Sequence, residues 1–179
     1  EGLQLTDLII KAHPKEAKAY ALRGAMFSQA DMLDSAEASY KEALSLDDSR
    51  FSVWYQLMWI YSRKDDPTAL LTLSNDVTAK FPKEFMGYYF KGVASFLLQQ
   101  YPNAITSLNT ALKIGNGEKK FVGDIYSLLG DAYHATGQHR LSDSSYERAL
   151  ILRPKDALIM NNYSYYLSLR DTGLQKAER

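Results

Sequence analysis

Cysteine is absent from the 179 residues. That excludes disulfides, thiolate metal sites and cysteine nucleophiles. Neither sign of charge is in excess, since Lys and Arg total 21 and Asp and Glu total 21. A general binder of nucleic acid or of a membrane surface carries a basic excess, and this chain has none. No apolar run approaches the roughly 18 residues that span a bilayer, and no signal peptide is visible. What is present is a hydrophobic fraction of 46%, enough for a sizeable core and too much for a disordered chain.

That hydrophobic content is periodic. Ile9, Ala43, Val77 and Ala111 stand 34 residues apart, and Ala149 follows after 38. Gly24, Met58, Gly92, Gly130 and Ser164 form a second ladder with gaps of 34, 34, 38 and 34. Pro14 and Pro82 share one phase of it, and Pro154 returns to that phase after the longer gap. A fixed period of this size means stacked structural repeats. With Gly24 set at position 8, residues 17–50, 51–84 and 85–118 are three repeats, 119–122 is an insertion, and 123–156 is a fourth repeat. Residues 157–179 read as a truncated fifth repeat, and residues 1–16 as the second helix of a truncated preceding one. Both chain ends are thus expected to fall inside a repeat of a longer array.

Each repeat reads as two helices. First helices carry apolar residues at helical spacing, as in Trp54, Leu57, Tyr61 and Tyr126, Leu129, Tyr133. Second helices do the same with Tyr40, Ala43, Leu44 and Ile105, Leu108, Ala111, Leu112. Small residues at positions 8, 20 and 27 (Gly24, Ala36, Ala43; Gly92, Ala104, Ala111) predict close helix crossings. Asp66-Pro67 predicts an N-cap followed by first-turn proline, and Pro102 plays a similar part. Asp31, Asp65, Gly137 and Asp171 occupy the expected interhelix turn, where a left-handed backbone is tolerated by Gly and, less well, Asp. The paired acids Asp47-Asp48 and Asp65-Asp66 read as helix caps. Gly115-Asn116-Gly117-Glu118-Lys119-Lys120 reads as a loop followed by a helix that starts early, near Glu118 or Lys119.

With these residues in place the chain resembles the tetratricopeptide repeat family, whose 34-residue unit carries W-x2-L-G-x2-Y, A-x3-F and P. The fourth repeat supplies Tyr126, Leu129-Gly130, Tyr133, Gly137, Tyr146, Ala149 and Pro154 in the matching places. The second supplies Trp54, Leu57, Tyr61, Val77 and Pro82, with Met58 where the family has glycine. The resemblance implies an all-α right-handed solenoid of antiparallel helix pairs that binds proteins and is not an enzyme. The segment Asn161–Leu167 looks like the last repeats of bacterial members. That implies a bacterial source and leaves the cell envelope and the cytoplasm both open.

In such a solenoid, positions 2, 5, 9, 12 and 13 of the first helices line the concave face. Here they bring Tyr55, Trp59 and Arg63 from the second repeat and Tyr89, Val93 and Phe96 from the third. Ser127 and Asp131 come from the fourth repeat and Tyr165 from the fifth. In the first three repeats, positions 5 and 9 hold Ala, Tyr, Trp and Val where some members grip a carboxylate with Asn and Lys. The expectation is an aromatic groove holding a peptide or amphipathic helix of a partner protein, with Arg63 and Asp131 setting its polarity. The alternative is that the rings mainly pack on neighbouring first helices and that the chain is a self-assembling or intramolecular segment of a larger protein. Leu3, Leu5, Leu8, Ile9 and Ile10 form an apolar first segment consistent with self-association.

Chemistry is thinly represented. His134, His139 and Asp131 cluster near one turn, yet a third and fourth metal ligand has no place. Gly115-x-Gly117-x-x-Lys120 lacks the GK[ST] and preceding strand of a phosphate loop. No cofactor and no metal site is expected.

Overall fold

The computed structural model describes residues 2–115 and 119–177. Ten helices and no strand occur among them. In chain order these are α1 (Gly2–Ala12), α2 (Ala17–Gln29), α3 (Leu33–Leu46), α4 (Phe51–Arg63), α5 (Pro67–Lys80), α6 (Phe85–Leu97), α7 (Tyr101–Ile114), α8 (Lys119–Ala135), α9 (His139–Leu152) and α10 (Ala157–Ala177). They divide into an N-terminal module, Glu1–Pro82, and a C-terminal module, Lys83–Arg179. The N-terminal module packs α2 on α3 and α4 on α5, with α1 against α2. The C-terminal module packs α6 on α7 and α8 on α9, with α10 against α8 and α9.

The turn within each pair has one design. Asp31, Asp65, Gln99 and Gly137 all have positive φ, at 60°, 53°, 57° and 73°. The amide after each reaches back to the last turn of the helix, as in Met32 N to Phe27 O at 2.9 Å and Gln138 N to Tyr133 O at 2.8 Å. This is the Schellman closure, which satisfies carbonyls that the helix end leaves open. Gln99 keeps the ladder's phase without being a turn-forming residue type. Asp171, expected in the same turn, instead lies within α10, which runs unbroken to Ala177. An aspartate tolerates the left-handed region without demanding it.

Capping follows the sequence at Asp66, whose carboxylate accepts from Ala69 N at 2.9 Å beside Pro67 in the first turn of α5. It does not at Asp47 and Asp65. Asp47 accepts from Ser49 N at 3.0 Å and Ser49 Oγ at 2.6 Å and so shapes the loop before α4, while Arg50 occupies the cap. Asp65 is the left-handed turn residue itself. The helix after the insertion, α8, begins at Lys119 and is 17 residues long against 13 for α2, α4 and α6. Glu118, the other expected start, lies outside the described residues.

The ladder residues form the core. Ala43, Val77, Ala111 and Ala149 are all buried to 1% exposure or less. At position 8 a hydrogen in place of a methyl sets the spacing. A Cβ on Gly24 would fall 2.9 Å from the Tyr40 ring, on Gly92 2.5 Å from Leu108, and on Gly130 2.8 Å from the Tyr146 ring. Across the last crossing, Ser142 Oγ on α9 donates to Gly130 O at 2.8 Å. The second repeat differs. Met58 fills position 8 and is fully buried, with Ser74 Oγ on α5 3.7 Å from its sulfur. A thioether side chain between two helices holds them apart, and α4 and α5 pack less closely than the glycine pairs do.

Substitution at this position is expected to destabilise for opposite steric reasons. Gly92→Val overpacks the α6–α7 crossing and costs about 1–3 kcal/mol. Met58→Ala leaves a cavity between α4 and α5 and costs about 2–5 kcal/mol. Urea unfolding of each variant measures both. A tolerated Gly92→Val would show that the glycine does not set the crossing.

Candidate functional site

The first helices α2 and α4 lie beside each other in the N-terminal module, and their expected groove positions share one face. Tyr55 and Trp59, one turn apart, are half-buried and meet edge to face at 6.3 Å. Tyr55 also touches Phe51 at 6.1 Å. Trp54, one residue before Tyr55, faces the other way, with its indole N–H donating to Asp48 O at 2.8 Å and its ring on Phe81. Arg63, at the end of α4, binds Asp31 at 2.5 Å and the Ser28 carbonyl at 3.2 Å. Its guanidinium therefore ties α4 to the α2–α3 turn.

Between the N-terminal halves of α2 and α4 a cavity of about 270 Å³ opens. Lys18, Ala21 and Leu22 form one wall and Ser52 and Val53 the other, with Ala43 and Asp47 behind. Lys18, Ala21 and Ser52 are at groove positions of the repeat frame. Leu22, Val53 and the Asp47–Arg50 pair (3.3 Å) are additions that the frame did not single out. Lys18 is exposed and has no hydrogen-bond or ion-pair partner among the described residues.

In the C-terminal module the expected groove residues divide by environment. Tyr89 is half-buried, lies parallel to Phe85 at 6.4 Å, and meets the Phe121 ring at 5.2 Å. It packs against the cluster of Phe85, Leu108, Ala111, Ile125 and Leu129. Phe96 is half-buried edge-on to Tyr101 at 5.6 Å. Val93 and Ser127 are half-buried as well. Tyr165 on α10 is 57% exposed.

Asp131 joins three helices. Its Oδ1 accepts from the Tyr146 hydroxyl of α9 at 2.5 Å and the Tyr166 hydroxyl of α10 at 3.1 Å. Burial raises the Asp131 pKa above the ordinary aspartate value, opposed by the two phenols, His134 and Asn162. Burial and the facing carboxylate push Tyr166 up to about 12. His134 stacks on Tyr166 at 3.7 Å, with His139 at 5.4 Å, and burial lowers its pKa. Arg170 and Asp143 close the far side through bonds of 2.8 and 2.5 Å. The first repeat shows what the aspartate does. Tyr40 matches Tyr146 in the frame, but Ala25 stands where Asp131 would be, and the buried Tyr40 hydroxyl finds no acceptor among the described residues. Sequence periodicity could have paired Tyr146 with Asp131, since positions 24 and 9 face each other. Among the described residues no group of three or more His, Cys, Asp or Glu could hold a metal ion. Among the described residues no helix is long and apolar enough to cross a membrane.

The raised Asp131 pKa sets a pH signature. Folding favours the protonated acid, so above the ordinary value of 3.8 the unfolded chain gives up this proton first. Stability from this group falls as pH climbs from there through the raised folded-state pKa. Asp131→Asn keeps an acceptor for both phenols and cannot ionise. Urea midpoints across the acid-to-neutral range should show the variant gaining on the parent as pH rises. Parallel curves would contradict the assignment.

Residues 17–50 and 123–156 match the tetratricopeptide repeat family model. No curated protein sequence matches the chain. Among solved structures, YrrB, described as a TPR protein with an unusual peptide-binding site, is similar at TM-score 0.78 and 14% identity, covering 90% of this chain and 81% of that one. A MamA structure is similar at TM-score 0.75 and 19% identity, covering 87% and 88%. A MamA structure from Desulfovibrio magneticus RS-1 reaches TM-score 0.72 at 16% identity, covering 87% and 86%. Two segments of the chain thus match the tetratricopeptide repeat model, and with glycines at its helix crossings the chain shares the fold of these structures.

Proposed function

We propose that this chain is a non-catalytic scaffold that holds a peptide or helix of a partner protein on its first-helix face. Repeats of this kind act as interaction scaffolds, because stacked pairs present extended surfaces rather than enclosed catalytic pockets. The observation that supports the peptide reading best is the cavity between α2 and α4, lined by Lys18, Ala21 and Ser52 at groove positions. Tyr55 and Trp59 continue the same face of α4 and add amphipathic contact area at low entropic cost. Arg63 joins them in the N-terminal module, and Tyr89, Val93, Phe96, Ser127, Asp131 and Tyr165 are the proposed contacts of the C-terminal module, taken by itself. Tyr165 is the exposed contact, and Tyr89 and Asp131 act through packing and hydrogen bonding behind the face. YrrB, whose description names a peptide-binding site, lends this reading an analogy of fold.

The cavity fits one apolar side chain, and the exposed Lys18 favours an acidic neighbour on the same peptide. Peptides selected from a displayed library against the full chain provide the probe. Ala21→Trp, which fills the cavity, and the double variant Tyr55→Ala, Trp59→Ala should each weaken selected acidic-apolar peptides at least about tenfold, a loss of about 1.4 kcal/mol. Circular dichroism checks that the helices survive. Unchanged affinity in folded variants would defeat the proposal.

A further inference from the structure

A second cavity, of about 320 Å³, opens on the opposite side of the N-terminal module, between the second helices α3 and α5 with α4 as its floor. Its size reaches the lower end of the roughly 300–1,000 Å³ typical of ligand clefts. Its origin is legible in one residue. At three crossings a glycine lets the second helix press onto the first, whereas Met58 occupies the α4–α5 crossing and is fully buried there. The looser α4–α5 pair leaves Leu44, Leu57, Tyr61 and Leu73 lining a concavity where Ala69 and Thr72 supply only short side chains.

Charge at the rim is one-sided. Lys41 is already engaged, with Nζ 2.6 Å from Glu37 and 5.7 Å above the Tyr61 ring. Glu37 also receives Lys64 at 2.6 Å and the Tyr61 hydroxyl at 3.2 Å. Asp76, on the α5 side, is exposed and has no hydrogen-bond or ion-pair partner among the described residues. The unanswered charge at this rim is negative and borders an apolar floor.

We propose that this cleft is a second protein-docking site, distinct from the first-helix face. Its occupant is an amphipathic helix that seats a Leu or Ile between α3 and α5 and sets a Lys or Arg one helical turn away on Asp76. Two helices flanking a groove accept a third by the ordinary ridge-and-groove fit. The basic residue distinguishes this partner from the acidic peptide expected on the other face, and neither site requires the other.

A phage-displayed library of helical peptides, panned on the full chain, supplies the probe, and anisotropy with labelled synthetic copies reads affinity. Clones pairing Leu or Ile with Lys or Arg three or four residues away should be enriched. Their affinity should fall at least about tenfold with Thr72→Trp, which fills the cleft, and with Asp76→Lys, and should hold with Ala21→Trp. Thr72 and Asp76 are both exposed, so the fold tolerates these changes. Should one variant fail to fold, the other decides. The proposal is overturned if no clone is weakened by the folded variants, or if the clones they weaken carry no basic residue.

Discussion

At three of the helix crossings the missing methyl group of a glycine lets a large side chain of the second helix lie directly on the backbone of the first. Tyr40, Leu108 and Tyr146 take that place against Gly24, Gly92 and Gly130. The close approach buries Ala36, Ala43, Ala104, Ala111 and Ala149 almost completely, and so turns helices too short to be stable alone into a packed stack. It also fixes which face of each first helix remains open.

Much of this was legible in the sequence, because glycine and alanine at fixed spacing have a steric meaning that survives without coordinates. The rungs Ala43, Val77, Ala111 and Ala149, the cap at Asp66 and the turns at Asp31, Asp65 and Gly137 follow from residue type and phase together. Gln99 adopts the same left-handed turn through phase alone, since the Schellman closure around it outweighs its own preference. Asp171 shows the converse. Phase and a permissive residue are insufficient where no closure follows, and α10 continues as helix.

The candidate site was less legible, because one helical period governs rings that pack and rings that point outward. Tyr89 and Tyr165 both hold groove positions, yet Tyr89 lies against Phe85 and Phe121 while Tyr165 is mostly exposed. Polar residues are harder still. Arg63 and Asp131 looked like groove charges, but Arg63 ties α4 to the preceding turn and Asp131 gathers two phenols from neighbouring helices. Their partners sit in other elements, at separations that a pattern within one helix does not reveal.

Met58 carries the least conspicuous consequence. A single departure from glycine at the ladder position loosens α4 from α5 and opens a cleft that the repeat pattern gives no reason to expect. The most direct measurement of the steric account is a crystal structure of Met58→Gly beside that of the parent chain. The account predicts that α5 closes onto α4 and that the cleft of about 320 Å³ shrinks. An unchanged α4–α5 separation would contradict it.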